Sequence, residues 1–245
     1  MLYFRCIIRN KMILDIIIKP GEPLWWKMFL ITVSSMVAVL LIANYFPFKK
    51  NLIRKLLGSV FLATAIVIHP YLIYQHHWTI QTSLPLQLCS LSGLLSGIVL
   101  LFPTLLGYEL LMYWGIPGAI HSLLTPELTQ GHGDFILYEY YISHGGIILS
   151  ALYLTYASGI MVRKNSWLNI FLYTQLLLPI IGIIDFVLNA NYMYLRLRPQ
   201  ADSPLIIGNW PWYILFLEIF LFIHFYIVYL IFYKFRKHSI QKFIA

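Results

Sequence analysis

Seven long apolar stretches restrict what this chain can fold into more than any other feature of its sequence. A helix needs roughly 20 apolar residues to cross a bilayer core of about 30 Å, and each stretch is close to that length. Backbone groups inside a membrane must satisfy their own hydrogen bonds, so we expect seven helices. The stretches are residues 28–46, 56–74, 84–102, 105–124, 135–160, 167–188 and 210–233.

The composition agrees with this interpretation. Hydrophobic residues make up 60% of the 245-residue chain and charged residues only 11%, which excludes a water-soluble monomer because a globular domain is about a quarter charged. We predict an all-α polytopic membrane bundle of about seven transmembrane helices. Its parts are an N-terminal juxtamembrane segment (1–24), a transmembrane domain (25–233) and a basic cytoplasmic tail (234–245). Met1 and Met12 both remain open as the start of the chain.

The distribution of basic residues predicts an orientation. The chain has 17 Lys and Arg against 9 Asp and Glu, and the basic residues cluster between apolar runs, which indicates anionic lipid rather than nucleic acid as the partner. Basic residues concentrate on the cytoplasmic side of membrane proteins. The larger set therefore predicts that the N-terminus lies outside and the C-terminus inside. That set is Lys49, Lys50, Arg54, Lys55, Arg163, Lys164, Lys234, Arg236, Lys237 and Lys242.

Ionisable side chains within the spans are the candidates for function, because each costs at least a few kcal/mol in a membrane. Five polar groups come from five different helices and lie about 5–14 Å from the outer ends of their spans. These five are His69, Cys89, His121, His144 and Asp185. Glu109, Glu139, Glu218 and His224 are the remaining ionisable groups, and we expect His224 to be a hydrogen-bonded packing residue.

Cys89 and His144 suggest nucleophilic chemistry. A thiol becomes a useful nucleophile when a neighbour takes its proton. His144 is the deepest histidine of the outer half, and the two glycines that follow it permit close helix approach. We expect Asp185 or Asn189 to orient the imidazole, which would complete an arrangement of cysteine, histidine and carboxylate.

A metal site is the rival interpretation of the same region. Its ligands would come from His121, Glu127, His132 and Asp134. Their spacing matches no strong zinc signature. The two cysteines, Cys6 and Cys89, form no Cys-x-x-Cys pair and no disulfide framework. We therefore expect neither a metal nor another cofactor.

Six short motifs occur in a fixed order along the chain. They are Leu-Pro-Leu-Gln-Leu-Cys at 84–89, Tyr-Trp-Gly at 113–115, Leu-Thr-Pro-Glu-Leu at 124–128, Ile-Ser-His-Gly-Gly at 142–146, Asn-Tyr-Met-Tyr-Leu-Arg at 191–196 and Pro-Trp-Tyr at 211–213. Together they resemble the YwaF-type family of bacterial integral membrane proteins. That family is similar in turn to a eukaryotic transmembrane acyltransferase that transfers polyunsaturated acyl chains to ether lysophospholipids. The resemblance implies that Cys89 is the acyl-accepting nucleophile, with His144 as its base.

The expected function is therefore a membrane-embedded lipid acyltransferase or transacylase in a bacterial-type plasma membrane. Its partners would be membrane lipids, with a phospholipid or lysophospholipid as substrate. The candidate catalytic residues are Cys89, His144 and Asp185, and the candidate pocket residues are His69, Gln87, His121, Asn189, Asn191 and Tyr192. Two alternatives remain open: a binding or transport protein for a lipid or small solute, and a scaffold in which the polar cluster is structural.

Overall fold

The computed structural model describes residues 5–8, 11–14, 16–128, 133–199 and 206–234, with side chains from residue 17 to residue 233 of these ranges. Two features of the sequence interpretation lie outside them: His132 and the basic tail beyond Lys234.

Helices account for nearly all of the regular secondary structure among the described residues. The first three are α1 (Pro23–Tyr45), α2 (Lys50–Tyr74) and α3 (Leu88–Leu101). A π-helical turn (Leu111–Gly115) joins α4 (Leu105–Leu110) to α5 (Ile116–Leu124). The last three are α6 (Asp134–Tyr156), α7 (Ser166–Leu188) and α8 (Trp212–Tyr229), which continues into a π-helical turn (Leu230–Lys234). The π-helical turn makes α4 and α5 one continuous helical rod, which corresponds to the fourth predicted span. Each of the seven predicted spans is therefore helical within the described residues.

Four of these helical segments are long and apolar enough to cross a membrane: Pro23–Tyr45, Pro47–Tyr74, Ser166–Leu188 and Trp212–Tyr233. Their outer surfaces carry large exposed apolar side chains such as Leu41, Leu176 and Phe186. An apolar face of this extent is stable in lipid and not in water. The predicted all-α membrane fold is confirmed.

The helix of the third predicted span is shorter than expected. It begins at Leu88 instead of Leu84 and has 14 residues, or about 21 Å, which is less than the thickness of a bilayer core. Pro85 cannot donate a helical hydrogen bond, and the backbone N–H of Leu84 instead donates to the hydroxyl of Tyr192 (2.9 Å).

The two adjacent glycines of α6 allow it to pack closely against α1 and α2, as predicted. A Cβ at Gly145 would lie 2.5 Å from Cγ2 of Thr32 on α1, and one at Gly146 would lie 2.8 Å from the ring of Phe61 on α2. Neither position has room for a larger residue, so the glycines fix where α6 crosses its neighbours. They also fix the position of His144, which directly precedes them.

The N-terminal segment folds back onto the loop that follows α5. Two strands, β1 (Arg5–Ile8) and β2 (Lys11–Leu14), pair with each other in antiparallel fashion. A third strand, β3 (Ile16–Ile17), pairs with β4 (Glu127–Leu128), and Trp25 of α1 donates its indole N–H to the carbonyl of Leu123 (3.0 Å). These contacts hold the end of α5 against the start of α1.

Candidate functional site

Cys89 lies in the first turn of α3 and faces α5. Its side chain is half-buried, and its Sγ lies 3.7 Å from Oγ of Ser122. A Cβ at Gly118, one turn before Ser122 on α5, would lie 3.2 Å from the same sulfur. Glycine at this position therefore leaves room for the thiol between the two helices.

His144 lies on α6, close to the same part of α5. Its ring packs against that of Tyr140, with 4.2 Å between ring centroids and an angle of 37° between the ring planes. The hydroxyl of Tyr140 donates to the backbone carbonyl of Ser122 (2.9 Å). Ser122 thus contacts Cys89 with its side chain and Tyr140 with its backbone, and Tyr140 contacts His144. We call Cys89, Ser122, Tyr140 and His144 the thiol–imidazole group.

The hydrogen bond on Nδ1 determines the tautomer of His144. Nδ1 lies 2.8 Å from the backbone carbonyl of Tyr140, one helical turn earlier. A carbonyl oxygen only accepts hydrogen bonds, so Nδ1 carries the proton and Nε2 of the neutral imidazole carries the lone pair. Within the described residues Nε2 makes no hydrogen bond. A lone pair in this state is available to accept a proton.

Asp185 does not orient this imidazole, and neither does Asn189, contrary to the expectation from sequence. The carbonyl of Tyr140 makes the orienting hydrogen bond because it belongs to the same helix and lies one turn before His144. The carboxylate of Asp185 is buried on α7, and its Oδ1 accepts the backbone N–H of Tyr192 (2.7 Å). Its Oδ2 is buried without a hydrogen-bond partner among the described residues. A catalytic role for Asp185 stays a prediction.

Tyr192 connects Asp185 to the segment that leads into α3. Its hydroxyl accepts the N–H of Leu84 (2.9 Å) and donates to the carbonyl of Ile80 (2.8 Å). Burial raises the pKa of this phenol, which keeps the proton that the bond to Ile80 requires. Tyr192 therefore fixes the chain a few residues before Cys89.

The other predicted pocket residues of this region also bind the loop that follows α7. Gln87, at the N-terminus of α3, accepts the N–H of Met193 through Oε1 (2.8 Å). Asn191 accepts the N–H groups of Arg196 and Leu197 (3.0 and 2.9 Å), and Asn189 accepts from the guanidinium of Arg196 (2.9 Å). These side chains shape the loop beside the first turn of α3.

The two remaining pocket candidates lie elsewhere. His69 accepts the indole N–H of Trp78 through Nδ1 (3.2 Å). His121 on α5 pairs with His224 on α8, with 3.1 Å between their Nε2 atoms. His224 is thus hydrogen-bonded, as expected. No hydrogen bond joins His69 or His121 to Cys89 or His144 within the described residues.

Three of the four residues of the rival metal site lie in the described part of the chain: His121, Glu127 and Asp134. Among the described residues, no three His, Cys, Asp or Glu side chains are close enough together to hold a metal ion. His132, one of the four proposed ligands, lies outside those residues.

Ser122 and Tyr140 are the parts of the thiol–imidazole group that the sequence analysis missed. Both are common residue types without a motif of their own. Ser122 contacts Cys89 from 33 positions away in the chain, and Tyr140 contacts His144 from 4 positions away. The spacing of four between Tyr140 and His144 on one helix was the available signal, since such residues are neighbours on a helix surface.

Comparison with known proteins identifies the family. No curated protein and no solved structure matches the chain. The model of the TMEM164 family matches residues 21–229, which include all eight helices and every candidate site residue. The chain is therefore a member of the TMEM164 family.

Proposed function

We propose that this chain is a membrane-embedded lipid acyltransferase or transacylase in which Cys89 is the nucleophile and His144 the general base. The observation that carries the proposal is the lone pair on Nε2 of His144, which no described residue binds, within the same contact group as a half-buried thiol. A histidine whose other nitrogen is held by a carbonyl is prepared to take a proton from a nearby nucleophile.

The proposed reaction has two steps. In the first, Nε2 of His144 takes the proton of the Cys89 thiol and the sulfur attacks the carbonyl carbon of a phospholipid acyl ester. The ester C–O bond breaks, and His144 returns the proton to the leaving alcohol, which departs as a lysophospholipid. In the second step, the hydroxyl of an acceptor lysophospholipid attacks the thioester and gives its proton to His144. The C–S bond breaks and the thiolate of Cys89 recovers the proton.

The first turn of α3 provides stabilisation for the negative charge of both steps. The backbone N–H of Leu91 donates to the carbonyl of Gln87 (2.9 Å), which is the first bond of the helix. The preceding N–H groups, including those of Cys89 and Ser90, have no intrahelical acceptor. N–H groups in this position, together with the helix dipole, favour a thiolate and the oxyanion of a tetrahedral intermediate.

Asp185 acts in this proposal as a positioning residue. It holds the backbone of Tyr192, whose hydroxyl binds the segment that enters α3. The substrate would approach from the lipid beside this loop. No metal or other cofactor takes part.

The test is acyl exchange between phospholipids in liposomes that contain the purified full-length chain. Cys89→Ser should abolish exchange because a hydroxyl is a far weaker nucleophile at neutral pH. Cys6→Ser is the matched control, since it changes the other cysteine of the chain, and it should leave exchange unchanged. Retained exchange in Cys89→Ser would exclude covalent catalysis by this thiol.

Binding or transport of a lipid or small solute is the second candidate, favoured by a π-helical turn in the helix beside the site. The π-helical turn Leu111–Gly115 directly precedes α5, which contacts Cys89. Such turns occur frequently at functional sites, including those that bind ligands without a chemical reaction. In this case Cys89→Ser should transport or bind the solute as the parent chain does, and neither should exchange acyl groups.

We also propose that the N-terminus and the thiol–imidazole group face the outside of a bacterial-type plasma membrane. The basic residues of the inner set support this orientation. Single cysteines introduced at positions 50 and 130 of a Cys6→Ser, Cys89→Ser background would decide it in intact cells. A membrane-impermeant reagent should label position 130 and not position 50, and the reverse pattern would invert the orientation.

A further inference from the structure

A cavity lies at the opposite end of α3 from Cys89. It has a volume of about 420 Å³, within the usual range for ligand pockets. Three connectors meet around it: the one between α1 and α2, the turn between α3 and α4, and the one after α6. Cys89 and the last residue of α3, Leu101, are about 18 Å apart along the helix axis, so this cavity is separate from the thiol–imidazole group.

The cavity is basic. Lys50 and Arg54 line it, together with the polar side chains of Asn51 and Ser158. No acidic side chain is among its described lining residues. The one ion pair in the described part of the chain joins Glu109 to Arg163, so no carboxylate there neutralises Lys50 or Arg54. An anion in the cavity would supply the missing counter-charge.

Contacts within the protein hold Arg54 in place without neutralising it. Its Nε and Nη2 donate to Oδ1 of Asn51 (3.2 and 2.7 Å), and its Nη1 donates to the carbonyls of Leu100 and Leu101 at the end of α3. All of these acceptors are uncharged. The guanidinium of Arg54 is therefore already ordered in the cavity, so binding of an anion to it would cost little further side-chain entropy.

The positive charge of Lys50 takes part in no contact that stabilises the fold within the described residues. Its backbone carbonyl accepts the hydroxyl of Tyr153 (2.7 Å). Within the described residues its ammonium group makes no hydrogen bond and no ion pair. A substitution of this side chain removes the charge and leaves the backbone contact intact.

The rim of the cavity matches the boundary of a membrane. Phe48 is 77% exposed, and Pro47 and Pro103 lie beside it. The cavity adjoins the ends of α1 and α2, two helices that are apolar enough to span a bilayer. Basic pockets at this level between membrane helices suit lipid headgroups, whose phosphate meets the cations while the glycerol and acyl chains meet the apolar rim.

We propose that this cavity binds the phosphate of an anionic phospholipid, with Lys50 and Arg54 as the cationic ligands. The site is independent of acyl transfer, because it lies at the other end of α3 and contains none of the residues of the thiol–imidazole group. Its expected occupant is a lipid of the surrounding bilayer leaflet and not free phosphate, because inorganic phosphate has no apolar part that could contact the rim.

The experiment is native mass spectrometry of the full-length chain in detergent with equal amounts of phosphatidylglycerol and phosphatidylcholine. The parent chain should retain phosphatidylglycerol in preference. Lys50→Gln should weaken its retention about fivefold, which corresponds to about 1 kcal/mol for one basic residue at an anionic surface. Lys50→Arg should retain it.

Lys164→Gln is the matched control, because Lys164 belongs to the same predicted inner set and does not line the cavity. It should change retention by less than about twofold, since charges outside the cavity act only through screened water. Equal losses in Lys50→Gln and Lys164→Gln, or no loss in either, would overturn the proposal. So would thermal stabilisation of the parent chain by inorganic phosphate that equals the effect of phosphatidylglycerol.

Discussion

His144 and His224 are two half-buried histidines that make the same hydrogen bond on one side of the ring and differ on the other. Nδ1 of His144 binds the carbonyl of Tyr140 (2.8 Å), and Nδ1 of His224 binds the carbonyl of Phe220 (2.6 Å). Each acceptor lies one helical turn earlier. In both residues the proton is therefore on Nδ1 and the lone pair on Nε2.

The two lone pairs have different surroundings. Nε2 of His224 accepts from Nε2 of His121 (3.1 Å), so this pair joins α5 to α8 and its hydrogen-bonding capacity is used. Nε2 of His144 has no partner in the described part of the chain, and the ring of His144 packs at a tilt against Tyr140. The comparison shows that the role of a membrane histidine depends on the group that faces its second nitrogen. His224 holds α5 and α8 together, whereas Nε2 of His144 has no such role among the described residues.

Replacement of each histidine by asparagine should separate these roles most strongly. An asparagine at position 144 keeps an N–H near the carbonyl of Tyr140 and lacks the basic nitrogen, so acyl exchange should fall by about 10²–10⁴. His224→Asn should retain exchange to within about threefold, because it removes no proton acceptor from the reaction. Initial rates in liposomes provide the measurement. Equal losses in the two variants would remove the distinction.

The free energy of unfolding should depend more on the His121–His224 pair than on His144, which is the reverse of the order expected for acyl exchange. His121→Ala leaves Nε2 of His224 without its donor and should cost about 1–3 kcal/mol. His144→Asn should cost less than about 1 kcal/mol, because it keeps the Nδ1-side bond and loses no partner on the other side. Thermal melting of the purified chains in one detergent would measure both. A larger loss in His144→Asn would mean that its Nε2 also has a structural partner.

Tyr140→Phe should produce the smallest effect of the three. It keeps the ring that packs against His144 and removes the hydroxyl that donates to the carbonyl of Ser122 (2.9 Å). We expect a loss of about 1 kcal/mol in stability and a decrease of several-fold in exchange, because Ser122 would still contact Cys89 but would be held less firmly. Tyr141→Phe is the matched control, because that hydroxyl has no hydrogen-bond partner among the described residues.

Much of the fold can be predicted from the sequence, because hydropathy and length alone determine where a chain can cross a membrane. The start of α3 is the exception. Leu84, Leu86 and Leu88 are equally apolar, and Pro85 is tolerated in the first turn of a helix, so the sequence does not place the first helical residue. Tyr192 and Met193, more than 100 positions away, bind Leu84 and Gln87, and these contacts together with Pro85 leave Leu88 as the first residue of the helix.

The candidate site could be predicted only in part. The position of a residue within a span predicts its depth in the membrane, but it does not predict which neighbouring helix or loop the side chain faces. Cys89 and His144 lie near one shared pair of residues, but Asp185, at a similar predicted depth, turns toward the loop that follows its own helix. The partner of Glu109 could not be predicted for the same reason. Its buried carboxylate binds Arg163 (2.6 Å), a partner 54 positions away that no local pattern indicates.

The most direct test of the central claim is the intact mass of the chain soon after it is mixed with phospholipid liposomes. The account predicts one acyl adduct on the parent chain, located at Cys89, and the same adduct on His224→Asn. It predicts a strongly delayed adduct on His144→Asn, because the thiol would lack its base. An adduct that forms at the same rate on His144→Asn, or a parent chain that exchanges acyl groups without any adduct at Cys89, would contradict it.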